Sequence, residues 1–275
     1  MATTVNLATK YSDKIQQKFT QESLVDGRLS NNLDFVGART VKVTTIGTVP
    51  ITEYKRNLSA NRYGNPEEVG DTVQELTMQM DEAFTGIIDK GNSLDQTINK
   101  AGQFLKVQIS EAVVPHMDAY KLGVLAEQGT AGSATAALTA DTIMDRLSAA
   151  RKAFVDAHVP TTGRTWFVST DVFNLLVKTD YFKNLQTLGV KAIAKGQVGE
   201  IFGAPVIEVP ADIMPEGVNF ILIHKDAACS PSKIADTKVH IDPPGISGNL
   251  VEGRYYYDCF VFDAKKQGVY VDKTA

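Results

Sequence analysis

The groups in this 275-residue chain that could move protons, hold metals or attack carbonyls are few and scattered. The histidines are His116, His158, His224 and His240. None forms a His-Glu-x-x-His pair or stands at zinc-ligand spacing from a cysteine. His240 and Asp242 fall on one side of a strand-like run, which by itself specifies no chemistry. Glu67 and Glu68 are adjacent in a polar stretch. An acid–base pair needs carboxylates that face one another in a shielded pocket, and neighbours on an exposed segment are simply solvated. Ser247 lies in "GISG" and lacks the G-x-S-x-G elbow of a hydrolase nucleophile. Gly196, Gly199 and Gly203 in "KGQVGEIFGAP" have the wrong spacing for a dinucleotide fingerprint and read as turn glycines. There is no G-x-x-x-x-G-K-[ST] phosphate loop. Cys229 and Cys259 read as buried, reduced thiols, since two cysteines in a chain this long do not make a disulfide scaffold. The sequence therefore has no enzyme signature, and it names no catalytic, cofactor-binding or metal residue.

Composition bounds the rest. The hydrophobic fraction is 43% and the charged fraction 22%, ordinary values for a globular chain. A chain of this size buries a core without staples and forms one large domain or two closely joined ones. Its net charge is −4, from 28 basic and 32 acidic residues, which argues against a surface that grips nucleic acid throughout. "MATTVNLATKYSDKIQQKF" has no apolar core of a secretory signal. Apolar runs such as "FILI" are too short to span a bilayer. A soluble protein made in a reducing cytoplasm is expected.

The elements that would position any site follow from periodicity. Residues 1–34 are polar, with Tyr11, Ile15 and Phe19 four apart, as on a short amphipathic helix. From Phe35 to Tyr54, and again from Val73 to Ile88, apolar and polar residues alternate as in strands. Between them runs "EYKRNLSANRYGNPEEVGDT", Glu53 to Thr72, too long a polar connection for an ordinary loop. The two arms and this tip predict a long β-hairpin, which is marginal alone and needs a surface to lie on. "SLDQ" at Ser93–Gln96 is a capping box. It opens an apolar stripe from Leu94 through Ile98, Leu105, Ile109, Met117 and Val124, a helix of about 50 Å kinked at Pro115 and stopped at Gly129. After the small-residue stretch "GTAGSATAAL", an α/β rhythm follows. Thr139 or Asp141 is expected to cap a helix running to about His158. "TWFVS" is a strand, and Thr170 caps a short helix. "APVIEVP" and "VNFILIH" are strands, Leu250–Phe262 is a β-rich run, and Gly268–Val271 is a last strand.

The order of these parts resembles the major capsid protein of tailed double-stranded DNA phages, the Hong Kong 97 type. Particular stretches are similar too: "NRYGNPEEVGDTVQELTMQMDEAFTGIIDKGN", "EAVVPHMDAYKL", "GEIFGAPVIEVP", "ILIHKDAACSPSKI" and "LVEGRYYYDCFVFDAKKQGVYV". The resemblance implies an α+β fold. It assigns residues 1–34 to an N-terminal arm and 35–92 to an extended hairpin loop with flanking peripheral strands. Residues 93–138 become the spine helix and peripheral domain, 139–245 an α/β axial domain, and 246–275 strands returning to the peripheral domain. The implied function is structural. Copies assemble into hexamers and pentamers that close into an icosahedral head around double-stranded DNA, without sequence-specific binding. Implied partners are the chain itself, a separate scaffolding protein, a portal and decoration proteins. The implied place is the virion, assembled in the bacterial cytoplasm, and no membrane or cofactor is implied. Lys55, Arg56, Arg62, Tyr63, Glu67 and Glu68 in the loop, with Tyr11, Ile15 and Phe19 in the arm, become candidates for contacts between subunits. An encapsulin-type compartment shell, or an oligomeric α/β enzyme or binding module with a dimerisation hairpin, are the alternatives.

Overall fold

The computed structural model describes residues 22–31, 33, 35, 38–90, 101–132, 136–179 and 197–274. The capping box at 93–96, the start of the long helix, and Tyr11, Ile15 and Phe19 lie outside them.

The chain opens its regular structure with an antiparallel ribbon of β1 (Thr40–Ile46) and β2 (Asp71–Thr77), in which Thr40 pairs with Thr77 and Ile46 with Asp71. β3 (Met80–Asp89) follows at once. A continuous helix then runs from Ala101 to Gln128, about 42 Å at 1.5 Å per residue. It comprises α1 (Ala101–Gln108), a π turn (Ile109–Val113) and α2 (Val114–Gln128). The π turn ends where Pro115 begins its work: proline has no N–H to give the preceding turn and its ring crowds the carbonyl four residues back. A widened turn accommodates that, with Val114 donating to the Ile109 carbonyl. After β4 (Thr130–Ala131) come α3 (Ile143–Asp156), β5 (Arg164–Ser169), α4 (Thr170–Lys178), β6 (Gln197–Ile201), β7 (Ala204–Val209) and β8 (Val218–His224). The chain closes with β9 (Ala228–Cys229), β10 (Ser232–Ile241), β11 (Gly248–Tyr257), β12 (Phe260–Val261) and β13 (Val269–Lys273).

The core is a mixed six-stranded sheet in the order β4-β13-β8-β5-β7-β6. Its central strands carry apolar residues on both faces because both faces are covered. On one face Phe167, Ile207, Ile221, Ile223, Val269 and Val271 pack under Leu122, Leu125 and Ala126 of α2. On the other, Trp166, Val168, Val206, Phe220 and Leu222 pack under Ile143, Leu147, Ala150 and Phe154 of α3 and Val172 and Leu176 of α4. Arg146 of α3 forks onto buried Asp272 of β13 at 3.0 and 2.8 Å, and Asn219 holds the other carboxylate oxygen at 2.8 Å. A second sheet, β10-β11-β3, packs against the long helix's first half, where the Phe104 ring covers Gly86.

The expected hairpin is present, and so are the strands read from "TWFVS", "APVIEVP" and "VNFILIH". Several details differ from the sequence reading. The return arm from Val73 to Ile88 is two strands in two sheets: β2 pairs with β1, whereas β3 pairs with β11. The break falls at Met78, which is fully buried. The cap of α4 is Ser169, whose hydroxyl accepts from the Val172 amide, and Thr170 is the first helical residue. The cap position of α3 is Thr142, neither Thr139 nor Asp141. Gly129 does end the long helix, yet in an extended conformation with negative φ. Glycine is needed there for close approach: a Cβ would stand 2.7 Å from both the Leu125 carbonyl oxygen and Val271. Residues 246–275 divide between sheets, β11 in the three-stranded one and β13 in the six-stranded one.

Candidate interaction surface

The β1–β2 ribbon is held at its base and bare beyond it. At the base, Phe35, Leu76 and Met78 are buried, with Val41, Val43, Tyr256, Phe260 and Phe262 packed around them. The Met78 amide donates to the Arg39 carbonyl at 3.1 Å, while Arg39 Nε and the Tyr256 hydroxyl donate to the Met78 carbonyl at 3.1 and 3.2 Å. The next amide, Gln79, donates to buried Asp258 at 2.8 Å, and the Tyr120 hydroxyl from α2 reaches the same carboxylate at 2.7 Å. The pivot between ribbon and body is thus tied to the long helix. Gln74 adds a bridge: its amide nitrogen donates to the Val261 carbonyl and its amide oxygen accepts from the Asp263 N–H, both at 3.0 Å.

Outward from Gln74 the ribbon presents large apolar side chains to solvent. Ile51 is as exposed as in an open chain (103%), Tyr63 is 85% exposed and Ile46 73% exposed, with Val49, Val69 and Val73 about half exposed. Isolated apolar residues on a surface are unremarkable, but a run of them on one projecting element marks a surface that meets another molecule. The loop is organised by its own bonds. Thr52 donates its hydroxyl to the Tyr63 carbonyl at 2.8 Å, and the Lys55 amide donates to Arg62 at 2.9 Å. Arg62 Nε donates to the Leu58 carbonyl at 2.6 Å, and the Tyr54 and Tyr63 rings meet edge to face at 4.9 Å. Asn61 and Gly64 take positive φ to turn the tip. A loop closed by its own hydrogen bonds loses less freedom on binding than a flexible one.

The structure brings Lys55, Arg56, Arg62 and Tyr63 together at this tip and places Glu67 and Glu68 on the limb leading back to β2, all exposed. The sequence reading selected the charged groups. It did not pick out Ile46, Val49 and Ile51, just outside the polar stretch; the available signal was β-branched residues where a solvated loop would carry none.

Three of the histidines that opened the sequence reading have hydrogen-bond partners. His116 Nε2 lies 3.0 Å from Glu82 and His240 Nε2 lies 3.1 Å from Glu252. His224 Nδ1 accepts from the Asp226 amide at 3.2 Å, and His158 takes a positive φ at the end of α3. Cys229 and Cys259 are free and buried. Cys229 is directly opposite Phe260 in the β9–β12 pair. Cys259 precedes Phe260 and lies with Val261 in the main core. Burial pushes the Cys229 thiol up to about 12 and raises that of Cys259 as well, so neither is a nucleophile at neutral pH. An open groove of about 450 Å³ runs between the sheet and the π turn, lined by Phe84, Tyr255, Ala112 and Met117, with the His116–Glu82 pair beside it. Among the described residues no cluster suited to a metal ion occurs, and no helix is long and apolar enough to cross a membrane.

A second tethered element lies at the start of the described chain. Leu24, Val25 and Leu29 sit in the main core against α2. Ser23 and the Leu24 amide both donate to buried Asp118 at 2.7 Å, and buried Lys121 pairs with Asp26. Desolvation raises the Asp118 pKa despite those bonds and the nearby Lys121 charge.

No family model matches this sequence, and no curated protein matches it. Solved structures do match, over nearly the whole chain. A structure from Mycobacterium phage Che8 superposes with a TM-score of 0.79 at 19% identity, covering 98% of each chain. The asymmetric unit of the bacteriophage PhiM1 mature capsid gives 0.74 at 14% identity, covering 98% of this chain and 92% of that one. The capsid of cyanophage P-SCSP1u gives 0.74 at 12% identity, covering 98% and 93%. The chain has the α+β fold of these phage structures.

Proposed function

We propose that this chain is a non-enzymatic shell subunit, a major capsid protein that assembles with copies of itself into hexamers and pentamers of an icosahedral phage head. The observation that carries the reading is the projecting ribbon. A stable, self-organised element with Ile46, Val49, Ile51 and Tyr63 in solvent gains nothing for its own subunit and needs an apolar partner surface. A full-length likeness to phage capsid structures supports another copy of the chain as that partner. Heterologous contacts of this kind, repeated around a rotation axis, generate closed rings. Scaffolding, portal and decoration proteins, and enclosed double-stranded DNA held without sequence-specific contacts, belong to the same reading.

The test is the size of the purified protein, alone and with a scaffold co-expressed, by electron microscopy and sedimentation. Capsomers or shells are expected. A monomer or dimer that persists at high concentration under both conditions would overturn the proposal. Shells carrying a packaged enzyme would point to a cargo compartment. Deleting Leu58–Glu67 should leave the subunit folded, because among the described residues these make no hydrogen bond to the body, and should block assembly.

A further inference from the structure

We propose that Gln74 sets the angle at which the β1–β2 ribbon leaves the body, and through it the geometry of the contact between copies. The second half rests on the shell-subunit reading. On the inward face of the ribbon the pairs run outward in the order Val41–Leu76, Val43–Gln74 and Thr45–Thr72. Leu76 is buried, Gln74 is half-buried and Thr72 is exposed. Gln74 is thus the last side chain of β2 to touch the body. From residues 44–73 no hydrogen bond reaches the rest of the described chain.

The contact is directional. The Gln74 carboxamide gives its N–H to the Val261 carbonyl and takes the Asp263 N–H, each at 3.0 Å. It occupies the edge of β12 as the peptide group of an added strand would, closing one donor and one acceptor two residues apart. A single hydrogen bond lets a side chain swivel, whereas two at opposite ends of a planar group fix both its distance and its rotation. The apolar cluster beneath, around Leu76 and Phe260, holds the base down but is non-directional. The ribbon is a lever about this point. At about 3.3 Å per residue, Tyr63 stands as much as about 30 Å out. A tilt of about 10° at the anchor moves the tip by about 5 Å, on the scale of one strand spacing.

The experiment uses the full chain with nitroxide labels on Ile51→Cys and Lys152→Cys, both exposed positions. Labelled copies are diluted in excess unlabelled chain so that each distance is read within one subunit by pulsed electron paramagnetic resonance. The parent should show one narrow distance. Gln74→Leu, similar in volume but without either bond, should shift or broaden it by about 5 Å. Gln74→Glu, which keeps the acceptor toward Asp263 and loses the donor, should fall between. Particles of Gln74→Leu should be heterogeneous in diameter while the subunit melts within a few degrees of the parent. If Gln74→Leu does not fold, Gln74→Glu and the exchange rate of the Asp263 amide carry the same test. An unchanged distance in a folded variant overturns the proposal. Uniform particles of parental diameter from a variant with a broadened distance overturn its second half. A parent that forms no capsomers refutes the shell reading, and the distance still decides what Gln74 does.

Discussion

Lys121 shows how one buried side chain can hold two segments far apart in sequence. Its ammonium is almost wholly removed from water, within reach of buried Asp118 on its own helix and paired with half-exposed Asp26 of the preceding segment. Replacing it with Met keeps the volume and leaves the Asp118 carboxylate with only its bonds from Ser23 and the Leu24 amide. Removing one partner of a buried pair costs more than the pair itself contributes, about 2–4 kcal/mol here because Asp26 can return to water. Lys121→Met should therefore lower the urea midpoint markedly, and adding Asp118→Asn should recover part of the loss. The pH dependence has a definite sign. Burial raises the Asp118 pKa above 3.8 in the folded protein. The folded state then binds its proton before the unfolded state does, and stability rises as pH falls through the raised value toward 3.8. Loss of the Lys121 charge raises that pKa further. The deficit of Lys121→Met should accordingly be smaller at pH 4.5 than at pH 7, and a deficit that grows on acidification would contradict this account.

Elements in this chain are legible where local pattern suffices and obscure where a distant strand decides. The central strands of the main sheet hold short apolar runs such as "WFV" and "FILI", as burial on both faces favours, and the ribbon shows period-two alternation on its first arm. The split of its return arm at Met78 is invisible locally, because β3 is defined by pairing with β11, far along the chain. β10 is another case: only its end around His240 reads as strand-like in the sequence, and its mostly exposed residues are placed by pairing with β11. Candidate contact residues follow the same division. Charges at the loop tip are exposed by type, whereas nothing in the letters Ile46 or Ile51 distinguishes a core position from a bare one. The end of the long helix offers a direct test at this scale. Gly129 sits where α2 meets β13, against a carbonyl oxygen and two valines. The carbonyl belongs to the helix backbone and cannot step aside, so Gly129→Ala should cost about 1–3 kcal/mol through overpacking. Thermal melting measures it. A neutral result would mean that helix and strand separate easily at this joint.

At the scale of the whole molecule, two segments are anchored to the long helix. One is the segment of residues 23–29, held by Asp118 and Lys121. The other is the ribbon, tied through Asp258 and Tyr120. The first belongs to the main core, whereas the outer ribbon does not, so stability and assembly should respond to different residues along the ribbon. Ile51→Asp exposes no new surface and breaks no bond in the free chain, and its effect on subunit stability should stay within about 0.5 kcal/mol. If Ile51 is an anchor in the contact between copies, the same change removes about 2 kcal/mol or more per interface, roughly a thirtyfold weakening of each contact. In a closed ring every copy carries the loss, so the concentration at which capsomers form should rise by more than tenfold. Sedimentation across a concentration series, with urea denaturation of the same samples, separates the two effects. An Ile51→Asp chain that assembles at the parental concentration would place the contact elsewhere on the ribbon. A chain that loses subunit stability to the same degree as assembly would mean the ribbon is part of the fold itself.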